Sequence, residues 1–296
     1  MRIPILSARP GWHIDQLRRA FLERGHEIIE VGYSELVAHH GGGESGFSDR
    51  LEESPLILTR IIPDGSLEQI VRRVNRLHEL EARGVRVINA GRAIERTIDK
   101  GWTTALLAER GLPTPETVVC ESAAEAMRAF REMGDVVIKP LFGSMGLGIV
   151  RVTDEQTAWR VVRAVERIGG VFYVQRTIRH AGFDVRAFVI GGRVVAAISR
   201  HATDWCTSYA RGAEPRPYWL TGRQEELALA ATAAVRADYA GVDLMSDEEG
   251  NDFVIEVNGV PGWRGLHLAT GIDVAGAIAD YALAAVGGKQ SDPAIG

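Results

Sequence analysis

The segment Asp252-Phe253-Val254-Ile255-Glu256-Val257-Asn258-Gly259-Val260-Pro261-Gly262 constrains the fold more than any other stretch of the chain. Its alternation reads as a strand, with Phe253, Ile255 and Val257 directed into a core and Glu256 and Asn258 sharing the opposite face. Upstream, residues 240–245 read as a second strand, and the polar stretch 246–251 reads as the turn between them. A hairpin of this kind sets Asp243 beside Glu256. Three oxygen donors on one hairpin, Asp243, Glu256 and Asn258, suit a hard cation such as Mg²⁺ or Mn²⁺.

Around this hairpin the chain is organised in an α/β (α+β) manner. The first third alternates strand and helix: strands at 3–6, 27–31, 56–60 and 85–88, with helices after the first and third. Such βαβ alternation implies a parallel sheet. Ser66 and Gln69 form a capping box for the second helix, whose apolar face reads as Leu67, Ile70, Val71, Val74 and Leu77. Further strands are expected at 116–120, 135–140, 148–152, 171–177, 184–190 and 193–200. Helices are expected to open at Ser122 and at Thr153 (with Gln156), and to run over 224–239 and roughly 266–286. Residues 201–221 form a long polar segment of the kind that usually carries function. The His39-His40-Gly41-Gly42-Gly43 run reads as a solvated linker.

With 296 residues the chain is long enough for two or three small domains. A net charge of −5 argues against a broad nucleic-acid surface. Two distant cysteines, Cys120 and Cys206, build neither a disulfide framework nor a thiolate metal site, which fits a reducing compartment. The apolar run 3–6 is too short for a signal peptide, and no run reaches membrane-spanning length. The expectation is a soluble cytoplasmic protein with no membrane partner.

A glycine-rich turn, Gly143-Ser144-Met145-Gly146-Leu147-Gly148, follows Lys139 and joins two strands. That placement differs from a P-loop or a dinucleotide fingerprint, both of which open a helix. Free backbone N–H groups in such a turn can still close over phosphates. Lys100 stands at the start of a helix bearing Leu106 and Leu107.

The ordered set Asp99-Lys100, Ile138-Lys139-Pro140 before the glycine turn, Val174-Gln175-x-x-Ile178, Asp184-x-Arg186, Gly241-Val242-Asp243 and Glu256-Val257-Asn258 resembles the ATP-grasp superfamily, and within it the RimK-like carboxylate–amine ligases. Arg211-Gly212-Ala213 and Pro261-Gly262-Trp263-Arg264-Gly265-Leu266 favour that branch, and the latter is similar to ligases that glutamylate pterin cofactors such as tetrahydromethanopterin. The resemblance spans nearly the whole chain. It implies an ATP-grasp fold: an N-terminal pre-ATP-grasp parallel α/β domain (1–97), a central small α+β subdomain (98–175) and a C-terminal α+β subdomain with the metal site (176–290).

The resemblance also implies roles. ATP would be held by Lys100, Lys139, Gly143, Ser144, Met145, Gly146, Gln175, Arg176, Thr177, Ile178, Asp184, Cys206 and Thr207, with the backbone of the 175–178 linker reading adenine and Asp184 holding the ribose. Asp243, Glu256 and Asn258 would carry two Mg²⁺ (or Mn²⁺) ions. Ser208 would fall in the segment that meets nucleotide and acyl phosphate. Arg200 and Arg186 lie on strands expected to face the same cleft, Arg200 to stabilise the developing oxyanion and Arg186 to position phosphate or carboxylate. By their own chemistry Arg211 and Arg60 are expected to clamp substrate carboxylates through bidentate contacts, and Trp263 to offer a ring for stacking. Two positions depart from the family pattern: Arg176 replaces a glutamate and Ser208 an asparagine. The implied reaction joins L-glutamate to a carboxylate acceptor through an acyl phosphate, in a homo-oligomeric enzyme. Its alternatives are a ligase acting on a carrier protein or in peptide biosynthesis, and a non-catalytic ATP-binding regulator.

Overall fold

The computed structural model describes residues 1–38, 51–143, 146–203, 205–207 and 212–287. The His39–His40 run lies outside them. Three sheets carry the chain. The first is parallel, ordered β2-β1-β3-β4, from β1 (Arg2–Ser7), β2 (Glu27–Gly32), β3 (Leu56–Thr59) and β4 (Arg86–Ile88). Alternating side chains serve its two faces. Ile3 and Ile5 pack under helix α1 (Trp12–Leu22), whereas Leu6, Ile57 and Val87 pack under helix α2 (Leu67–Ala82).

The Ser66–Gln69 capping box of α2 forms as read. Its buried face begins later than expected: Val74, Leu77 and Leu80 are buried, while Leu67 and Val71 are exposed. Arg76 lies within that buried face, matched by Glu52 and Glu79. Apolar spacing alone placed the stripe one turn too early.

Helices α3 (Gly91–Ile98) and α4 (Lys100–Glu109) follow, α3 being absent from the sequence reading. The second sheet is antiparallel, ordered β5-β8-β6-β7, with β5 (Thr117–Cys120), β6 (Val136–Lys139), β7 (Val150–Val152) and β8 (Phe172–Arg176). Helices α5 (Ala123–Met133) and α6 (Glu155–Arg167) cover one face through Phe130, Met133, Ala158 and Val162. The cap of α6 is Asp154, which accepts from the Thr157 N–H, rather than the Thr153–Gln156 pair expected.

The third sheet, β11-β10-β9-β12-β13, is antiparallel: β9 (Phe183–Ile190), β10 (Arg193–His201), β11 (Glu214–Pro217), β12 (Tyr239–Ser246) and β13 (Asp252–Asn258). Helix α7 (Gly222–Val235) packs Leu227, Ala231 and Val235 against Val185, Ala187, Val242 and Val254. It ends before Tyr239, which belongs to β12 and not to the helix. The single C-terminal helix expected is two, α8 (Arg264–Thr270) and α9 (Val274–Gly287), because Gly271 adopts a left-handed conformation that closes the first. Among the described residues no single helix is long and apolar enough to cross a membrane.

The opposite face of the third sheet changes character along its strands. Phe188, Ile190, Ile198 and Tyr239 share a core with Ile3, Ile5 and Leu58 of the first sheet. One step further along the same face come Arg186, Asp184, Arg200 and Asp243. Asn89, fully buried after β4, ties the two sheets. Its amide nitrogen donates to the carbonyls of Tyr239 (2.8 Å) and Gly259 (2.7 Å), and its oxygen accepts from the N–H groups of Asp238 (2.6 Å) and Tyr239 (3.1 Å). Every hydrogen-bonding site of that amide is used. Asn89→Ala leaves buried backbone groups unpaired and is expected to lower stability by about 3–5 kcal/mol. Urea unfolding of the variant and the parent checks this.

Candidate active site

Asp243 and Glu256 are direct partners in the β12–β13 register, as the hairpin reading required. The next pair is Leu244 with Val254, so Ile255 is an extra residue in β13. This bulge corrects the simple alternation. Val254 and Val257 enter the core, whereas Ile255 turns to a cleft that it lines with Thr97, Lys100, Thr103, Thr104, Tyr173 and Glu256. Two glycines let neighbouring segments close on this hairpin. A Cβ on Gly259 would lie 2.4 Å from Thr97 Oγ1 of α3, and one on Gly241 2.9 Å from Pro261 Cβ.

Across the sheet runs a row of charges. Arg186 Nε and Nη2 donate to Asp243 Oδ1 and Oδ2 at 2.6 and 2.7 Å. Arg200 Nη2 reaches Asp243 Oδ2 at 2.9 Å and grips Asp184 with Nε (2.7 Å) and Nη2. These contacts follow strand register, which pairs Asp184 with Arg200 and Arg186 with Asp243. Burial opposes charge on Arg200, but Asp243 and Asp184 outweigh it and raise its pKa. Burial likewise pushes the Asp243 carboxyl up, and Arg186 and Arg200 reverse this to hold it at about 2.

The second sheet faces the row with its uncovered side. Phe172 and Val174 enter its core, so Tyr173 and Gln175 point the other way, as does Lys139. Lys139 Nζ donates to Gln175 Oε1 (2.6 Å), and Gln175 Nε2 donates to Thr117 Oγ1 and the Tyr173 hydroxyl, which also meets Thr104. Lys100 Nζ donates to the carbonyl of Gly143 (2.7 Å), anchoring the glycine turn to α4. Desolvation lowers the pKa of Lys139 to about 8, with Glu256 opposing and Lys100 adding to the fall. Lys100 is lowered by the same desolvation, against Glu256 and Asp99. Glu256 therefore faces both lysines. Among the described residues its carboxylate makes no hydrogen bond or ion pair.

Other expected positions lie differently. The N–H groups of Arg176 and Thr177 are already donated to the carbonyls of Glu116 and Asp135, and the Arg176 guanidinium is bound by Glu116 and the Met133 carbonyl. Within the 176–178 linker only the Ile178 N–H lacks a partner among the described residues, so a backbone reading of a base is narrower than expected. Asp184, expected at a ribose, is buried with both oxygens on Arg200. Trp263 is 1% exposed, with Arg60 over its ring at 4.7 Å and His13 and Phe188 at its edges. It is a packing residue here, with no face open for stacking. Arg60 is itself buried and makes no contact with the carboxylates of the row among the described residues. Gly146 occupies the left-handed region in the β6–β7 turn, Cys206 is half-buried and Thr207 buried. Ser144, Met145, Ser208 and Arg211 lie outside the described residues. Asn89, Tyr173 and Thr104 were missed; for Tyr173 the signal was its period-2 relation to Gln175.

A model of the RimK-like ATP-grasp domain matches residues 97–282. A tetrahydromethanopterin:α-L-glutamate ligase of Methanosarcina acetivorans is 34% identical over 260 residues, covering 78% of this chain and 80% of that protein. One from Methanococcus maripaludis is 30% identical over 288 residues, covering 96% and 98%. Among solved structures, a RimK domain ATP-grasp protein from Sphaerobacter thermophilus has a TM-score of 0.75 at 24% identity, covering 96% of this chain and 100% of that one. Fold and site together define an ATP-dependent ligase with the ATP-grasp fold. The chain belongs to the RimK-like ATP-grasp family.

Enzymes of this family work with ATP and Mg²⁺, and the residues present fit such an ion. Asp243 is deprotonated and its three contacts leave one of about four lone pairs unused. Glu256 beside it offers a carboxylate that is unpaired among the described residues. Among the described residues the Asn258 oxygen accepts only the Val260 N–H (2.9 Å). All are hard donors.

The depressed pKa of Asp243 links the row to stability. Its folded value lies below its ordinary 3.8, so the contribution is complete above about pH 4 and is lost as pH falls toward 2. The linked free energy is about 2 kcal/mol. Asp243→Asn should lack this increment, so acid titrations of unfolding free energy should converge for variant and parent at low pH.

Proposed function

We propose that this ligase adds L-glutamate to a carboxylate on a small molecule, with a reduced pterin of the tetrahydromethanopterin type as the acceptor class. The observation that carries the reading is the opposition of Lys100 and Lys139 to the Asp243–Glu256 pair across one cleft. Such a site is built for a polyphosphate with its cations. The acceptor class rests on the relatives' names, tetrahydromethanopterin:α-L-glutamate ligase.

In this reading Lys139 and Lys100 neutralise ATP phosphates, and the turn at Gly143 and Gly146 closes over them. Asp243, Glu256 and Asn258 would hold Mg²⁺, which would supply screening of the phosphate charge. The acceptor carboxylate attacks the γ-phosphorus and ADP departs. The amine of glutamate then attacks the acyl carbon to form the carbon–nitrogen bond; the carbon–oxygen bond to phosphate breaks, its electron pair leaves on phosphate, and the amine proton passes to the departing phosphate. Arg186, partly open to the cleft, faces the developing oxyanion. Arg200, 6% exposed and clamped by two carboxylates, positions Asp243 rather than touching substrate. The chain's contribution is positioning and fixed charge.

A carrier-protein acceptor would call for a basic docking face. The arginines of α2 do not supply one: Arg76 is buried on Glu52 and Glu79, Arg72 pairs with Glu79, and Arg73 donates to the Pro63 carbonyl. The retained lysines and carboxylates speak against a non-catalytic module.

Glutamate-dependent ADP release, measured with a reduced pterin and with a Glu-ended peptide and with products weighed by mass spectrometry, tests the reading. A gain of one glutamyl unit on the pterin is expected; a gain on the peptide alone would replace the acceptor class. Glu256→Gln should lower turnover by about 10²–10³-fold. Lys139 is cationic below about pH 8 and loses its proton above it. ATP affinity should therefore weaken as pH rises through that value, whereas Lys139→Arg should bind ATP with a flatter profile, as read by calorimetry.

A further inference from the structure

The parallel sheet has its topological switch point between β1 and β3, because the chain leaves β1 toward β2 and returns on the other side to β3. Ligands of open parallel sheets bind outside the carboxyl ends of the strands at such a point. Here Ser7 ends β1, Arg60 follows β3, and α1 starts at Trp12 with no side-chain cap on its free N–H groups. The loop after the Asn258 strand closes the far side. Arg60 Nη2 donates to the Pro261 carbonyl at 3.2 Å, while Nη1 is buried with no hydrogen-bond partner among the described residues. A 3% exposed guanidinium with an idle donor and no carboxylate among the described residues is costly to keep unless something else meets it.

Two more groups converge there. His13 Nε2 accepts the Trp263 N–H at 3.1 Å, which leaves the ring proton on Nδ1. Burial, then Arg60, then Arg264 push its pKa down to about 4, so it is neutral near pH 7 and sits in a field of uncompensated positive charge. Arg264 is exposed, has no ion pair among the described residues, and stands on the first turn of α8, where a cation opposes the helix dipole. An anion would relieve all three. The place is close to the charged row, since Pro261 packs on Gly241, which Arg186 flanks at 3.6 Å from an ideal Cβ.

We propose that Arg60, His13 and Arg264, with the N-terminus of α1, form an oxyanion subsite for a substrate carboxylate other than the one that is phosphorylated. This rests on the ligase reading above. The carboxylate belongs either to the amino-acid co-substrate or to the acceptor, and both present the same chemistry to the site.

KM values for L-glutamate, the acceptor and ATP distinguish the sources. Arg60→Met should raise the KM of one organic substrate by about 10–100-fold. Arg264→Gln, at an exposed position that leaves the fold intact, should raise the same KM by about 3–10-fold with the KM for ATP unchanged. The substrate whose KM moves is the one that supplies the carboxylate. Unchanged KM values for both organic substrates in Arg264→Gln and in folded Arg60→Met would overturn the subsite and leave Nη1 to an ordered water. A second readout needs no turnover. In NMR titrations of the parent protein, saturating L-glutamate or the acceptor should raise the His13 pKa by offsetting the neighbouring cations; no shift with either overturns the proposal. Absence of ADP release from the parent with every acceptor would instead overturn the ligase reading, and the His13 titration would still decide the subsite.

Discussion

One buried amide holds the arrangement together. Asn89 follows the last strand of the parallel sheet and spends both donors and both acceptor positions on the backbone at the start of β12 and just past the end of β13. It thereby fixes the two ends of the hairpin that carries Asp243 and Glu256. Neighbouring contacts reinforce the seam: Thr59 donates to the Asn89 carbonyl, Tyr239 donates to the Thr59 carbonyl, and Asp238 receives both Arg86 and Tyr281. An apolar side chain in place of the amide would leave the Asp238 and Tyr239 N–H groups unpaired in a place closed to water. The geometry of the site thus depends on a residue that touches none of its charges.

The third sheet shows how one surface serves both stability and chemistry. Its strands place Phe188, Ile190 and Tyr239 in a dry core and then, on the same face, a row of two arginines and two aspartates. Buried ions are expensive to desolvate, and close pairing offsets that cost. Strand register supplies the match by setting Arg186 opposite Asp243 and Arg200 opposite Asp184. The result is a rigid set of charges whose orientation need not be found anew when a polyphosphate arrives, which is the physical content of electrostatic preorganisation. Flexibility is left to the Lys100 and Lys139 side, where the lysines hold carbonyl and amide oxygens that a phosphate can replace.

Much of this was legible in the chain. Period-2 and βαβ patterns placed the strands, and the Asp243–Glu256 pairing followed from turn chemistry between two apolar runs. The parts that were not legible share a cause: they depend on what packs against a residue rather than on its neighbours in sequence. The Ile255 bulge exists because the cleft wall of α3 and α4 meets β13 there, and α3 itself carries too short an apolar stripe to announce itself. Leu67 and Val71 matched helix spacing yet face solvent, because α2 rests on the sheet only from Val74 onward. Asp184 was assigned a ligand by analogy; only the register revealed that Arg200 takes both its oxygens. Trp263 was expected to stack on substrate, and is instead the floor on which Arg60 lies.

That last reversal has a consequence for specificity. A cation stacked on a buried indole keeps its charge in place without a carboxylate partner, since the ring face is a weak and undirected counter-charge. The Pro261 carbonyl orients one edge of the guanidinium and leaves the other unmatched. A carboxylate partner in the protein would have satisfied Arg60 and silenced it; an aromatic one stores the unmet demand. The same loop that ends the strand of Glu256 and Asn258 also orients Arg60, so the metal-facing residues and the free guanidinium are held by residues only three positions apart, Asn258 and Pro261. In a ligase that must keep two organic substrates in register with a nucleotide, such a shared loop lets the distance between activation and recognition be set by backbone geometry alone.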